Sequence, residues 1–271
     1  LAAEQGDASS QFDLGLMYLN GWGVTQDYKQ AGNLFALAAE QGNPSAQHNL
    51  GLMYENGQGF TQDYKKAVKW YQLASELGFA LAQFNLGQMY LYGQGVTQDY
   101  KQAGNLFALA AKQGEADAQF NLGVMYFEGL GVIQSYKQAV KWYKLAAKQG
   151  DSSAQFNLGL MYESGQGFTQ DYKKAAKWYQ LASELGLALA QLNLGEMYFY
   201  GQGVTQNYKQ AGNLFALAAK QGEADALFNL GVMYFEGLGV IQSYKQAVKW
   251  FTLAAEQRHA NAQLNLGVMY Q

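Results

Sequence analysis

Histidine is the residue best suited to metal binding or to proton transfer near neutral pH, and this sequence contains only two. His48 and His259 lie far apart in the chain, and neither has a second metal-ligating side chain at helical spacing. His48 occupies a position where the corresponding segments carry Phe or Leu. We interpret it as a surface or interface substitution, and we expect His259 to be a solvated loop residue.

Glycine loops and paired carboxylates are two further patterns that could indicate chemistry. The GQG strings lack both a preceding strand and the GK[ST] ending of a phosphate loop, which favours simple turns. Asp117 and Glu128 recur as Asp225 and Glu236, but eleven helical residues separate the two carboxylates of a pair by ~16 Å. Cysteine is absent, so thiol chemistry is excluded. The sequence therefore predicts no catalytic residue, no metal site and no cofactor, and hence a protein that is not an enzyme.

Composition excludes two classes of partner. The chain has 271 residues, a formal net charge of -3 and a pI near 5.4, which does not suit a protein that neutralises phosphates. No stretch approaches the ~20 apolar residues of a membrane span. We expect neither nucleic-acid binding nor membrane insertion.

Internal repetition organises the whole sequence. The string LGxMY recurs every 36 residues, beginning at Leu14, Leu50, Leu86, Leu122, Leu158, Leu194, Leu230 and Leu266. We predict a single array over residues 1–271, with seven full repeats over 7–258. Residues 1–6 would be the tail of a preceding repeat and 259–271 the first helix of a following one. Both ends would then be cut from a longer array, and uncapped ends would allow end-to-end stacking in an oligomeric state that the sequence leaves open.

Each repeat predicts two short helices. In one period the first covers approximately residues 45–55 and the second approximately 64–76, with Gly57 and Gly59 in the connection. The residue before the second helix is always one whose side chain can cap free backbone N–H groups. These caps are Asp27, Asp63, Asp99, Ser135, Asp171, Asn207 and Ser243.

Part of the sequence also recurs with a longer period, of 108 residues. The segment FTQDYKKAVKWYQLASELGFA, which begins at Phe60, recurs with two changes from Phe168, a shift of 108 residues. Second helices with the AGNLFALAA sequence carry an interior glycine instead of the Trp-containing form. Such a glycine costs about 1 kcal/mol relative to Ala, so these helices are either softer or able to approach a neighbour closely. The glycines are Gly32, Gly104 and Gly212.

The pattern AxxxNLGxMYxxGxGV followed by xDYxxAxxWYxxAAxxG resembles the Sel-1-like repeat family, a relative of the tetratricopeptide repeat. The resemblance covers essentially the whole chain. It implies an all-α, right-handed solenoid of antiparallel helix pairs, with the first helix of each pair on the concave side. It also implies an adaptor or scaffold for protein complexes, and it favours an exported bacterial protein over a cytoplasmic one.

A binding surface can be predicted from the helical rotation of 100° per residue. Positions 46, 50 and 54 are expected to face the paired helix, and positions 48, 51 and 55 to lie on a flank. Positions 45, 49, 52 and 56 then form a stripe, which we call the first-helix stripe together with its equivalents. The stripe residues that we expect to contact a partner are Asn49, Asn85, Gln88, Tyr92, Asp117, Asn121, Glu128, Asn157, Asn193, Glu196, Tyr200, Asp225, Asn229 and Glu236.

The asparagine column of the stripe has two interpretations. Its amides either bond the adjacent repeat and fix the register, because an unpaired buried amide is costly, or they bind an extended peptide. The first helices contain acidic residues but no Lys or Arg, whereas every Lys lies in or beside a second helix. We therefore expect a protein or peptide partner that is polar to basic.

Two other functions fit the same residues. Tyr, Trp, Asn and Asp also suit carbohydrate binding, so a carbohydrate or cell-envelope recognition module is an alternative. The chain could also be a structural spacer between parts that carry the recognition.

Overall fold

The computed structural model describes residues 3–269, and within that range it contains fifteen α-helices and no β-strand. The helices are α1 Ala8–Asn20, α2 Tyr28–Glu40, α3 Pro44–Asn56, α4 Tyr64–Glu76, α5 Ala80–Tyr92, α6 Tyr100–Lys112, α7 Ala116–Glu128, α8 Tyr136–Lys148, α9 Ser152–Ser164, α10 Tyr172–Glu184, α11 Ala188–Tyr200, α12 Tyr208–Lys220, α13 Ala224–Glu236, α14 Tyr244–Glu256 and α15 Ala260–Met269. This is the all-α helix-pair fold that the repeats predict.

The chain divides into two compact units, unit 1 from Leu1 to Trp142 and unit 2 from Tyr143 to Gln271. In unit 1 the first helices α1, α3 and α5 pack against their own second helices, and the second helices α2, α4 and α6 pack against the next first helix. Unit 2 repeats this arrangement from α9 to α15. Consecutive packing of this kind is typical of a solenoid, in which every pair contacts only its neighbours.

Side-chain caps start the second helices where the sequence predicts them. Asp63 accepts a hydrogen bond from the backbone N–H of Lys66 at 3.0 Å, and Ser135 accepts one from Gln138 at 3.3 Å. All seven predicted caps make such a bond. The predicted starts of the second helices are therefore confirmed.

Glycines with positive φ end the first helices and hold the connecting loops against the preceding repeat. Gly57 is the C-cap of α3 at φ 70°, and Gly59 has φ 73°. A Cβ on Gly59 would lie 2.4 Å from the carbonyl oxygen of Tyr28 in the preceding second helix. Only glycine lets the loop backbone approach that helix so closely.

The faces of the first helix meet different neighbours from those that we predicted. Ala46 and Leu50 pack in one cluster with Phe35 of the preceding second helix, not mainly against their own. Positions 48, 51 and 55, which we placed on a flank, face the repeat's own second helix instead: a Cβ on Gly51 would lie 2.5 Å from the ring of Tyr71 in that helix. Both assignments were wrong because a first helix in this fold packs between two second helices, so that two of its faces are covered.

The interior glycines of the AGNLFALAA helices do not interrupt them, since α2, α6 and α12 each have 13 residues. A Cβ on Gly32 would lie 2.5 Å from the ring of Phe60. The corresponding contact of Gly104 is with the flexible end of Met125, at 3.3 Å. Of the two predicted roles, close approach of a neighbour therefore holds for Gly32.

Candidate binding surface on the first helices

In unit 1 the first-helix stripe opens into a cleft between α5 and α7. Its volume is about 410 Å³, and its walls include Leu91 and Tyr92 at the end of α5 and Asn121 and Val124 in α7. Two predicted stripe residues from consecutive repeats, Tyr92 and Asn121, thus line one cavity. The size lies within the range typical of ligand-binding clefts.

Unit 2 has a smaller cleft at the equivalent place between α13 and α15. Glu236 occupies the same position within its 36-residue repeat as Tyr92 does, and Asn265 the same position as Asn121. The cavity volume is about 170 Å³. The same stripe positions therefore line a cleft in each unit.

Two tyrosines of the stripe present their rings to solvent. Tyr92 and Tyr200 are each 64% exposed, although tyrosine combines a large apolar ring with a polar tip and is commonly covered at interfaces. The Tyr200 ring lies edge-on to Phe199, with 5.0 Å between centroids. Such exposed rings are suitable anchors for a partner.

The asparagine column makes two kinds of contact. Asn49 and Asn121 each donate to the carbonyl four residues earlier in their own helix, at 2.8 Å. Asn85 instead reaches the preceding repeat, where its amide lies 3.1 Å from Nε2 of His48, and Asn229 reaches Oε1 of Glu196 at 3.4 Å. The column therefore links repeats at some positions and not at others.

A buried polar cluster in unit 1 accounts for His48. The Tyr71 hydroxyl donates to Glu55 at 2.5 Å and also bonds Asn85, while the His48 ring lies 5.8 Å from the Tyr71 ring. Burial lowers the pKa of His48 to about 4. Burial, followed by the hydrogen bond to Glu55, raises the pKa of Tyr71 far above its ordinary value. His48 is thus a neutral interior residue, and the half-buried Asn85 and Glu55 are held by internal contacts.

Unit 2 contains the counterpart of this cluster. Tyr179 donates to Glu163 at 2.5 Å and bonds Asn193, but Phe156 stands in place of His48. On the neighbouring turn Glu196 replaces Gln88, and burial is the main cause that raises the pKa of Glu196.

The acidic residues of the stripe differ in their surroundings. Asp117, Glu128 and Glu236 are exposed. Asp225 is exposed too, but its carboxylate lies 3.0 Å from Nε2 of His259. Our prediction that His259 is solvated was wrong: its ring stacks on Phe228 at 4.6 Å, and Nδ1 accepts from the backbone N–H that it caps in α15. Paired with His259, Asp225 is a weaker candidate for binding a basic partner than Asp117.

The described residues form neither a metal site nor a membrane segment. Between residues 3 and 269, no group of three His, Asp or Glu side chains converges to hold a metal ion. Over the same range, no helix combines the length and apolar character needed to cross a membrane.

The sequence model of the Sel1 repeat matches the chain eight times in succession, over residues 8–43, 44–79, 80–115, 116–151, 152–187, 188–223, 224–259 and 260–271. The chain belongs to the Sel1 repeat family. Sel1 repeat proteins generally act as protein-interaction scaffolds, and the family is generally non-catalytic.

Two solved structures of Sel1 repeat proteins resemble this one over nearly its whole length. A protective antigen of uropathogenic Escherichia coli with an SLR fold is 41% identical, with a TM-score of 0.96 over 99% of this chain and 58% of that one. A Sel1 repeat protein from Oxalobacter formigenes is 37% identical, with a TM-score of 0.80 over 98% of this chain and 77% of that one. The present chain thus spans less than two thirds of the E. coli protein. No match was found among curated protein sequences.

The contacts of Glu55 and Tyr71 were not predicted, although the repeats contain a signal for them. The residue sixteen positions before Tyr71 and Tyr179 is Glu, whereas before Phe35 and Phe107 it is Leu. Glu thus occurs at the first position only in repeats that have Tyr at the second, although Tyr143 follows Phe127. Comparing these two positions across the repeats would have indicated the hydrogen bond.

Proposed function

We propose that this Sel1 repeat protein is a scaffold that holds a polar to basic peptide segment or protein surface along the first-helix stripe. The observation that carries the proposal is the cleft of unit 1, in which Tyr92 and Asn121 from consecutive repeats line one cavity. A peptide side chain could enter this cavity while its backbone meets the asparagine amide.

Charge supports a basic partner. Asp117 and Glu128, at opposite ends of α7, are both exposed, and the first helices contain no Lys or Arg. Complementary charge increases the rate and specificity of association, and exposed pairs make it sensitive to salt. In unit 2, Tyr200 and Glu236 offer the same kinds of exposed group.

The test measures binding of a fluorescein-labelled peptide of alternating lysine and glutamine by fluorescence anisotropy, at low and high salt. We expect Glu128→Lys to weaken binding roughly fivefold at low salt, because one exposed ion pair contributes up to about 1 kcal/mol. Tyr92→Ala should weaken it further by removing the ring that lines the cleft.

Glu40→Lys is the matched control, because Glu40 is an exposed acid of unit 1 that lies on a second helix. Equal loss in the control, or unchanged affinity in both stripe variants, would contradict the proposed surface. Binding of an oligosaccharide that depends on Tyr92, without binding of the peptide, would favour the carbohydrate alternative.

A further inference from the structure

The second helices of unit 2 carry exposed apolar side chains that the proposed function does not use. Leu181 in α10 and Leu217 in α12 occupy the same repeat position and are 44% and 46% exposed. Single exposed leucines need no explanation, but apolar residues beside a cavity can mark a binding site. Leu181 lies beside such a cavity.

A groove of about 560 Å³ lies between α10, α11 and the loop that follows α11. Ala176 and Leu194, both buried, are among its lining residues, with Tyr198 and Val204 from α11 and the loop. A second cleft of about 470 Å³ shares Lys173 and Val204 with the first and continues along the loop. The two clefts together offer room for an extended occupant.

Two lysines lie along this groove. Lys173 and Lys177 line it, both are exposed, and among residues 3–269 neither has an ion-pair partner. The neighbouring Lys174, in contrast, lies 3.0 Å from the carboxylate of Asp171. Residues four apart lie on one side of a helix, so Lys173 and Lys177 present two uncompensated positive charges beside an apolar surface.

The duplicated segment in unit 1 differs at one residue of this groove. Val68 stands where Ala176 stands, and its side chain is buried in the apolar cluster of that repeat. The two additional methyl groups of valine fill space that alanine leaves open. The lysines are present in both units, as Lys65 and Lys69 in unit 1, so the alanine distinguishes the groove of unit 2.

We propose that this groove, defined by Lys173, Ala176, Lys177 and Leu181, binds an acidic peptide segment that inserts a large apolar side chain over Ala176. The free lysines are complementary to carboxylates, and the continuous pair of clefts suits an extended chain. The site takes a ligand of opposite charge from that of the first-helix stripe. One scaffold would then hold two partners on different faces of its helix pairs.

The experiment uses the full chain and a fluorescein-labelled peptide of alternating glutamate and leucine, followed by fluorescence anisotropy. Ala176→Val should weaken binding at least about tenfold while the fold is kept, because Val68 already occupies the equivalent position. The double variant Lys173→Glu with Lys177→Glu should weaken it by at least about tenfold at low salt. It serves as the second test if the valine variant does not fold.

The matched control is Lys65→Glu with Lys69→Glu in unit 1, which should leave the affinity within about twofold. Equal loss in this control, or undiminished binding to Ala176→Val and to the Lys173 and Lys177 double variant, would overturn the proposal. Decanoate that binds the groove when the peptide does not would also overturn it, in favour of a small anionic amphiphile. Because the stripe is tested with a basic peptide, failure at either site is distinguishable from failure at the other.

Discussion

The buried clusters of the two units share a tyrosine, a glutamate and an asparagine. They differ at two positions, where His48 and Gln88 of unit 1 are Phe156 and Glu196 in unit 2. Tyr71 and Tyr179 each donate to a glutamate and bond an asparagine of the next repeat. The rings beside them lie at nearly the same distance, 5.8 Å for His48 and 5.6 Å for Phe156. The duplication thus preserved the packing while the ionisable groups changed, which indicates that shape constrains this position more than polarity does.

The largest effect that we expect comes from His48. Its pKa is lowered by burial from 6.5 to about 4, so the unfolded chain takes up a proton at a higher pH than the folded one. Stability is therefore complete above pH 6.5 and is lost as the pH falls towards 4, by about 2 to 3 kcal/mol at pH 4.5. In His48→Phe this loss should be absent.

Urea unfolding of the wild type and of His48→Phe at pH 7 and pH 4.5 measures this loss, because the other titrating groups are common to both proteins. Phe156→His would place the same dependence in unit 2. An identical stability difference at the two pH values would show that His48 does not titrate on unfolding.

The next effect is the coupling between Tyr71 and Glu55. Tyr71→Phe and Glu55→Leu each leave one polar partner unpaired, while the double variant reproduces the Leu and Phe combination of other repeats. We expect a coupling energy of about 2 kcal/mol, as for a hydrogen bond to a charged group. The double-mutant cycle is measured by urea unfolding, and the Glu163 and Tyr179 cycle should agree with it. Additive single variants would mean that the two groups are independent.

The smallest effect concerns Glu196 and Gln88. Burial raises the pKa of Glu196 in the folded protein above its value in the unfolded chain. Stability is therefore lost as the pH rises from the unfolded pKa through the folded pKa. Glu196→Gln should then be more stable than the wild type at pH 7. The group is partly solvated, which limits the gain to less than about 1 kcal/mol. Thermal unfolding at pH 7 and pH 4 is the measurement, with Gln88→Glu expected to change stability in the opposite direction. A gain of equal size at pH 4 would exclude the charge as its cause.

Local features of the fold followed from the sequence. The periodicity, the glycine turns and the seven caps depend on residues close together in the chain, and they placed the second helix at Tyr64–Glu76, as observed. Predicting which neighbour each face meets requires the packing of consecutive pairs. For that reason positions 46, 48, 50, 51 and 55 were assigned to the wrong surroundings.

The candidate site was predicted only in part. The stripe contains positions that line clefts, such as Tyr92 and Asn121, but also residues held in internal contacts, such as Asn85 and Asn193. Asn85, Asn121 and Asn193 occupy one repeat position, so repetition alone does not separate the asparagine that lines a cleft from those held internally. The outer groove depends on a single alanine, Ala176, whose importance appears only when the cavity beside it is seen.

The contact of Gly59 with the backbone at Tyr28 recurs in later repeats, where Gly95 approaches Tyr64 and Gly203 approaches Tyr172. This junction is made by main-chain atoms and a residue without a side chain, so it does not require a matched pair of side chains. Unequal recombination could therefore insert or delete whole 36-residue repeats without any change to the side chains at the contact between consecutive repeats. The number of binding positions could then change in evolution independently of what each position recognises.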